Sequence, residues 1–210
     1  MKKLRLIMAD DHTLVLAGFR KLLEAEFDIM DVAEDGRSLV RAAEQLKPDV
    51  ILLDISMPML NGIDAARQIR ARAPNSKLIF VTMHSNPDYV REAMRAGASG
   101  YLLKRSAASE LVPAIRAVFA GHDYITPLID RELVRPLPDK DETSPTALTD
   151  RQREVLQLVA EGLAVKEIAS ILHVSSKTVE YHKTSIARRL GIRATAALTR
   201  YAIDHKIVAT

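Results

Sequence analysis

Val50-Ile51-Leu52-Leu53-Asp54-Ile55-Ser56-Met57-Pro58 decides the fold of this chain. Four apolar residues run without a break into one carboxylate, and Pro58, Asn61 and Gly62 close a turn behind it. An apolar run of that length reads as a strand buried on both faces, the habit of strands in a parallel sheet. Asp54 then stands at the strand's carboxyl end, where open α/β sheets keep their binding crevices. Outward from this stretch, short apolar runs at 4–9, 29–33, 78–82 and 100–104 read as further strands. Segments 14–25, 38–46, 63–73, 87–96 and 107–120 carry helical stripes or helix-ending Gly and Pro signals. Pro113 conflicts with the last of these helices, because an interior proline costs about 3 kcal/mol; a late start or a bend is expected there. Five strands alternating with five helices over residues 4–120 imply a parallel sheet with right-handed crossovers.

Composition is that of an ordinary globular protein: 210 residues, 48% hydrophobic and 27% charged, with a formal net charge of +3. The charge is unevenly spread. Residues 1–122 carry 17 basic against 15 acidic side chains, residues 123–145 carry 3 against 6, and residues 146–210 carry 10 against 6 with three histidines. The tail is therefore the basic part, and an acidic stretch holding four prolines precedes it. That stretch, 123–145, reads as a semi-rigid linker with at most a turn at 129–134. The absence of cysteine removes disulfide and thiolate chemistry and fits a reducing, cytoplasmic setting. No apolar run approaches the ~20 residues of a membrane span, and Asp10 and Asp11 interrupt what would be a signal peptide's apolar region.

Asp10 and Asp11 follow the first strand and Asp54 the third. If those strands are neighbours, the carboxylates converge at one sheet edge, where they repel unless a cation or proton lies among them. Oxygen donors of this kind suit Mg²⁺. Thr82 and Lys104 end the fourth and fifth strands. A carboxylate, a metal, a hydroxyl and an ammonium around one point make a site for a transferable phosphoryl group, with the carboxylate as nucleophile and the cations neutralising the phosphoryl oxygens. His12 and His84 read as polar rim residues, since their carboxylate neighbours suit hard cations.

Asp10-Asp11, Asp54 with Met57-Pro58 and Gly62, Thr82, and Tyr101 three before Lys104 resemble the receiver domain of two-component response regulators across residues 4–121. The resemblance implies a five-stranded, doubly wound, flavodoxin-like sheet of order 2-1-3-4-5. It also implies phosphorylation of Asp54 by a sensor histidine kinase and Mg²⁺ held by Asp10, Asp11, Asp54 and the Ser56 carbonyl. Thr82 and Lys104 would bind the phosphoryl oxygens, and Tyr101 would be the aromatic whose rotamer follows Thr82.

From Thr146 onward the pattern is helical. Thr149 with Gln152 forms a capping box ahead of a helix carrying Val155, Leu156, Leu158 and Val159. Residues 165–172 read as a second helix, His173-Val174-Ser175 as a turn, a third helix runs to Leu190, and a fourth covers 194–207. Two helices joined by a tight turn, the second polar and basic outward, have the form of a helix-turn-helix. Leu148-Thr149, Arg151, Glu154-Val155-Leu156, Gly162, Lys166-Glu167-Ile168-Ala169, Val174-Ser175, Thr178-Val179 and His182 resemble the LuxR-type four-helix DNA-binding domain of NarL/FixJ regulators. Gln152 departs from the usual Glu but preserves the box, Ala164-Val165 loses a polar cap, and Glu180 departs from a frequent Lys. The resemblance places double-stranded DNA against Ser176, Lys177, Thr178, Glu180, Tyr181, Lys183, Thr184 and Arg188. Leu198, Tyr201 and Ala202 on the fourth helix read as an exposed face for a symmetric pair.

The expectation is a cytoplasmic response regulator with a receiver (1–122), a linker (123–145) and a DNA-binding domain (146–210). It dimerises on phosphorylation, regulates transcription with RNA polymerase as a further partner, and is no enzyme beyond slow loss of its own phosphoryl group. A rival reading is a Mg²⁺-dependent phosphatase with Asp54 as nucleophile. The haloacid dehalogenase phosphatases, however, place a second Asp two residues after the first, where this chain has Ser56.

Overall fold

Val50–Leu53 forms a strand, β3, buried at every residue. Its neighbours are β1 (Arg5–Ala9) and β4 (Lys77–Thr82), both parallel to it, with Leu6–Ala9 beside Val50–Leu53 and Val50–Leu53 beside Lys77–Phe80. β2 (Asp28–Ala33) and β5 (Gly100–Leu103) extend the sheet on either side. The computed structural model describes residues 3–134, 148–192 and 194–208. It divides into two compact units, Met1–Pro136 and Leu137–Thr210.

Strand alternation sorts the first unit's core. Leu6, Met8, Val50, Leu52, Ile79, Val81 and Leu102 point to the side covered by α1 (Thr13–Leu23) and α5 (Ala107–Phe119). Ile7, Ala9, Ile51, Leu53, Leu78, Phe80 and Tyr101 point to the side of α2 (Gly36–Leu46), α3 (Gly62–Arg72) and α4 (Pro87–Arg95). Each fully buried aliphatic side chain contributes about 1.5–3 kcal/mol relative to exposure, so both faces of this sheet are strongly specified. Local signals set the helix starts: Asp35, Asn61 and Asn86 cap α2, α3 and α4 through backbone N–H bonds, and Pro87 supplies a fixed φ at the first turn of α4. Pro113 neither delays nor ends α5, which begins at Ala107 and continues to Phe119; burial of Leu111, Ala114, Ile115 and Val118 outweighs one lost hydrogen bond.

The sheet departs from the expected order by one strand. Among the described residues it has six, in the order β2-β1-β3-β4-β5-β6, with β6 at Tyr124–Ile125. A two-residue strand is too short to show any period in the sequence. Here Tyr124 N–H donates to Ser99 O at 2.9 Å and Thr126 N–H to Tyr101 O at 2.9 Å, fixing the segment on the β5 edge. A 3₁₀ turn at Arg131–Val134 follows, and Ile129 and Val134 enter the same apolar cluster as Tyr101 and Val90. Residues 123–134 thus pack on the first unit rather than forming the start of a linker; the remainder of the expected linker, 135–145, lies outside the described residues.

The second unit contains α6 (Asp150–Ala160), α7 (Val165–Leu172), α8 (Ser176–Leu190) and α9 (Thr195–Asp204). The capping box forms: Gln152 N–H donates to Thr149 Oγ1 at 3.3 Å, and Thr149 N–H to Gln152 Oε1 at 3.0 Å. Ala164 offers no side-chain cap, and only the reciprocal half of a capping box forms, with Glu167 accepting from Ala164 N–H at 2.7 Å. His173, in a left-handed conformation, turns the chain from α7 to α8, and Ser175 caps α8 at Thr178 N.

Candidate functional site

Parallel pairing brings the carboxyl ends of β1, β3, β4 and β5 to one edge. Asp10 and Asp54 follow β1 and β3 there and are 2% and 3% exposed. The Lys104 ammonium, entering from the end of β5, lies 2.7 Å from Asp10 Oδ2 and 2.8 Å from Asp54 Oδ2. Burial by itself would lower the Lys104 pKa, but hydrogen bonds and charge from Asp10 and Asp54 outweigh it and hold the ammonium above its ordinary value. Asp54 Oδ1 accepts from Ile55 N–H at 2.6 Å. Asp11 is exposed at the mouth, and His12 Nδ1 lies 2.7 Å from Asp11 Oδ1 and 3.0 Å from Asp10 Oδ1. One ligand atom from each of Asp10, Asp11, His12 and Asp54 falls within 4.8 Å of the others, a donor set that could hold a metal ion. His12, its side chain 64% exposed, meets both carboxylates from the rim.

The loop behind Asp54 is held closely. Ile55 and Met57 are buried, and Gly62 N–H donates to Ile55 O at 2.8 Å. A Cβ on Gly62 would fall 1.9 Å from the Asp54 carbonyl oxygen, so the return of the chain onto the end of β3 requires glycine. On the facing strand Thr82 is fully buried. Two residues further, His84 joins the surrounding parts: Nε2 is 2.8 Å from Ser56 Oγ, its carbonyl accepts from Tyr101 Oη at 2.8 Å, and its ring stacks on Tyr89 at 4.1 Å. Tyr101 is fully buried, and its pKa is pushed far up by burial, then by the negative charge of Asp54 and of the Tyr89 phenolate.

In the second unit, α8 buries Val179 and Ile186 and exposes Ser176, Lys177, Glu180, Tyr181, Thr184 and Arg188, with Tyr181 at 69%. Lys177, Tyr181, Thr184 and Arg188 recur at helical spacing and share one outward side. Thr178 and Lys183 are half-buried; Lys183, expected on the outward face, lies four residues after Val179 and so at the edge of that face beside the core stripe.

Comparison with known proteins agrees with both geometries. The response regulator receiver domain matches residues 6–116, and the luxR family of bacterial regulatory proteins matches residues 146–202. The transcriptional regulatory protein MctR of Rhizobium johnstonii is 36% identical over 98% of this chain and 96% of its own length. The oxygen regulatory protein NreC of Staphylococcus carnosus is 34% identical over 98% and 99%. RcsB of Salmonella enterica serovar Typhimurium, solved bound to promoter DNA with a phosphomimetic, superposes with a TM-score of 0.58 at 31% identity, covering 95% of this chain and 98% of that one. The chain belongs to the NarL/FixJ family of two-component response regulators.

As a response regulator it carries a receiver and a LuxR-type DNA-binding domain, and it acts in transcription regulation. Among its described residues no helix is long and apolar enough to cross a membrane. The expected exposed face on α9 is not there. Leu198 is 5% exposed and Ala202 fully buried, both in the cluster with Val155, Leu158 and Val179, and Tyr201 packs against that cluster half-buried. A domain this small needs the apolar stripe of every helix to close its own core, so residues 198 and 202 are taken up inside the regulator's second unit. From the sequence His84 reads only as a polar rim residue and Gln152 only as part of a capping box. A signal exists for the first: His84 follows Thr82 by two residues; Gln152 has none, since Glu154 and Gln157 are also buried polar residues of α6.

Proposed function

We propose that Asp54 is phosphorylated by a sensor histidine kinase and that this drives dimerisation and sequence-specific binding to double-stranded DNA. The observation that carries the reading is the buried convergence of Asp10, Asp54 and Lys104 at the carboxyl ends of three parallel strands, within 2.8 Å. An Asp54 carboxylate oxygen attacks the phosphorus of the kinase's phosphohistidine; an O–P bond forms and the N–P bond breaks. The carboxylates of Asp10, Asp11 and Asp54, with the Ser56 carbonyl, have the all-oxygen chemistry that suits Mg²⁺, which when bound neutralises charge on the transferring group. Lys104 and Thr82 hold the phosphoryl oxygens, and the charge gained at Asp54 draws Thr82 and biases the Tyr101–His84 pairing. The second unit is a four-helix domain, the receiver includes the segment packed on its sheet up to Val134, the residues from there to 145 join it to the DNA-binding domain, and RNA polymerase is a further partner. The protein turns over no substrate beyond slow loss of its own phosphoryl group. In DNA recognition α8 enters the major groove, with Ser176, Lys177, Thr178, Glu180, Tyr181, Lys183, Thr184 and Arg188 divided between phosphate and base contacts.

The test is labelling by radioactive acetyl phosphate with Mg²⁺. The wild type should acquire a hydroxylamine-sensitive label, Asp54→Ala should acquire none, and Asp11→Ala much less. Labelling of Asp54→Ala at the wild-type rate would remove the assignment.

A further inference from the structure

We propose that Gln152 is a positioning residue that sets the rotation of α8, and with it which side chains the second unit presents to DNA. The inference rests on the DNA-binding reading and adds a residue that touches no DNA.

Gln152 stands on the first turn of α6 and is 6% exposed. Its one amide meets three groups. Oε1 accepts from Thr149 N–H at 3.0 Å and from Arg189 Nη1 at 3.2 Å, while Nε2 donates to Ser185 Oγ at 3.1 Å. Ser185 and Arg189 are one turn apart on α8, so the amide ties two successive turns of that helix to the start of α6. Val179 and Ile186 hold α8 against the core, but apolar contact has no preferred direction. Hydrogen bonds have one, and these lie on a flank of α8 about 90° around the axis from the outward side of Lys177, Tyr181, Thr184 and Arg188. A rotation of about 20° would move atoms at a side-chain radius of ~6 Å by roughly 2 Å. That exceeds the tolerance of a base-edge hydrogen bond, whose lengths span roughly 0.5 Å. The arrangement needs two hydrogen-bonding atoms on one buried side chain, one an acceptor for Thr149 N–H and Arg189 and the other a partner for the Ser185 hydroxyl. Leucine supplies neither. Glutamate supplies acceptors only, yet the Ser185 hydroxyl can turn its proton to a carboxylate, so glutamate should restore the link.

The experiment uses full-length protein treated with acetyl phosphate and Mg²⁺, and a DNA duplex selected by the wild type from a random library. Affinities for that duplex and for random-sequence DNA are measured at two salt concentrations, alongside thermal unfolding. Gln152→Leu should reduce the ratio of selected to random affinity about five- to tenfold, the scale of one to two hydrogen bonds, with the random-sequence affinity and its salt slope unchanged. Ser185→Ala, which leaves the capping box intact, should reduce the ratio in the same direction and carries the test if Gln152→Leu does not fold. Gln152→Glu should recover most of the ratio. A lower unfolding temperature with an unchanged ratio in both Gln152→Leu and Ser185→Ala would make Gln152 an ordinary cap and overturn the inference. A wild type with no preference for any duplex would instead overturn the DNA-binding reading.

Discussion

In the first unit most of the groups assigned to chemistry are buried, with only Asp11 exposed at the mouth: Asp10, Asp54 and Thr82 are 2%, 3% and 0% exposed. In the second they are on the surface, with Tyr181 at 69% and Lys177, Glu180, Thr184 and Arg188 also exposed. The difference follows from what each unit handles. A phosphoryl group is small and must be met by charges held in a dry, fixed pocket. DNA is large and is met by side chains that reach outward from a helix. Burial has a consequence for mutation. Carboxylates in a core are tolerable only with partners such as Lys104, so removing one member of this cluster leaves a buried charge unpaired and should cost stability as well as chemistry. Surface side chains on α8 contribute little to folding, so function and stability should separate there.

The sharpest way to break this comparison is Gly62→Ala. The new Cβ would meet the backbone of Asp54 and Ile55, which cannot swing aside as a flexible side chain can. The variant should lose about 3 kcal/mol or more of stability in chemical unfolding and lose acetyl phosphate labelling with it. Wild-type stability with no labelling would show that the pocket and the fold are separable after all.

Leu198→Ala comes next. With Leu198 in the second unit's core, truncation should cost about 2–3 kcal/mol of that unit's stability while leaving the labelling of Asp54 unchanged. A variant that unfolds like the wild type yet fails to dimerise would return Leu198 to the surface role expected from the sequence.

That expectation shows where the sequence is opaque. Asp10, Asp11, Asp54, Thr82 and Lys104 are legible because each ends a strand, and a parallel sheet has only one place to put strand ends. The pattern Leu198–Ala202 is legible as an apolar stripe but not as buried, since periodicity reports a face and not what covers it. β6 is invisible because two residues carry no period, and its anchor is the pairing of Tyr124 and Thr126 with β5 together with their hydrogen bonds to Glu110 at 3.2 and 3.0 Å. His84 and Gln152 act through partners distant in sequence, Ser56 and Tyr101 for the first, Ser185 and Arg189 for the second. Pairings of that separation become visible only when the fold brings them together.

A smaller effect concerns Tyr101 at high pH. Burial and nearby negative charge raise its pKa, so the unfolded phenol ionises near its ordinary value of about 10 while the folded one resists. The stability this represents is fully present below about pH 10 and is lost as pH rises toward the folded value. Lys104, whose pKa is also raised, acts in the same sense. Tyr101→Phe should cost about 1 kcal/mol at neutral pH through loss of the bond to the His84 carbonyl, and its stability should fall less steeply than the wild type's above pH 10. Equal slopes in denaturant titrations at pH 9 to 11 would mean that the phenol is not sealed in the folded core.

The smallest change in stability should come from Tyr181→Ala, and here the contrast between the units is most exposed to refutation. Tyr181 is a large aromatic at 69% exposure, flanked by Glu180 and one turn from Lys177 on the outward side of α8. A side chain that buries so little of itself should change unfolding free energy by no more than about 0.5 kcal/mol. The same truncation should alter which base is preferred at one or two positions, by about 1–3 kcal/mol for each base edge no longer read, and Glu180→Ala should do so at a position where cytosine N4 can donate. Lys177→Ala should weaken binding to all sequences alike and flatten the salt slope, because a phosphate contact releases counterions without reading sequence. The measurement is binding of each variant to a set of single-base site variants at two salt concentrations, paired with its unfolding curve. Loss of stability in Tyr181→Ala comparable to that in Leu198→Ala would mean that this face is covered in the folded regulator, and the separation of function from stability in the second unit would fail at its most exposed residue.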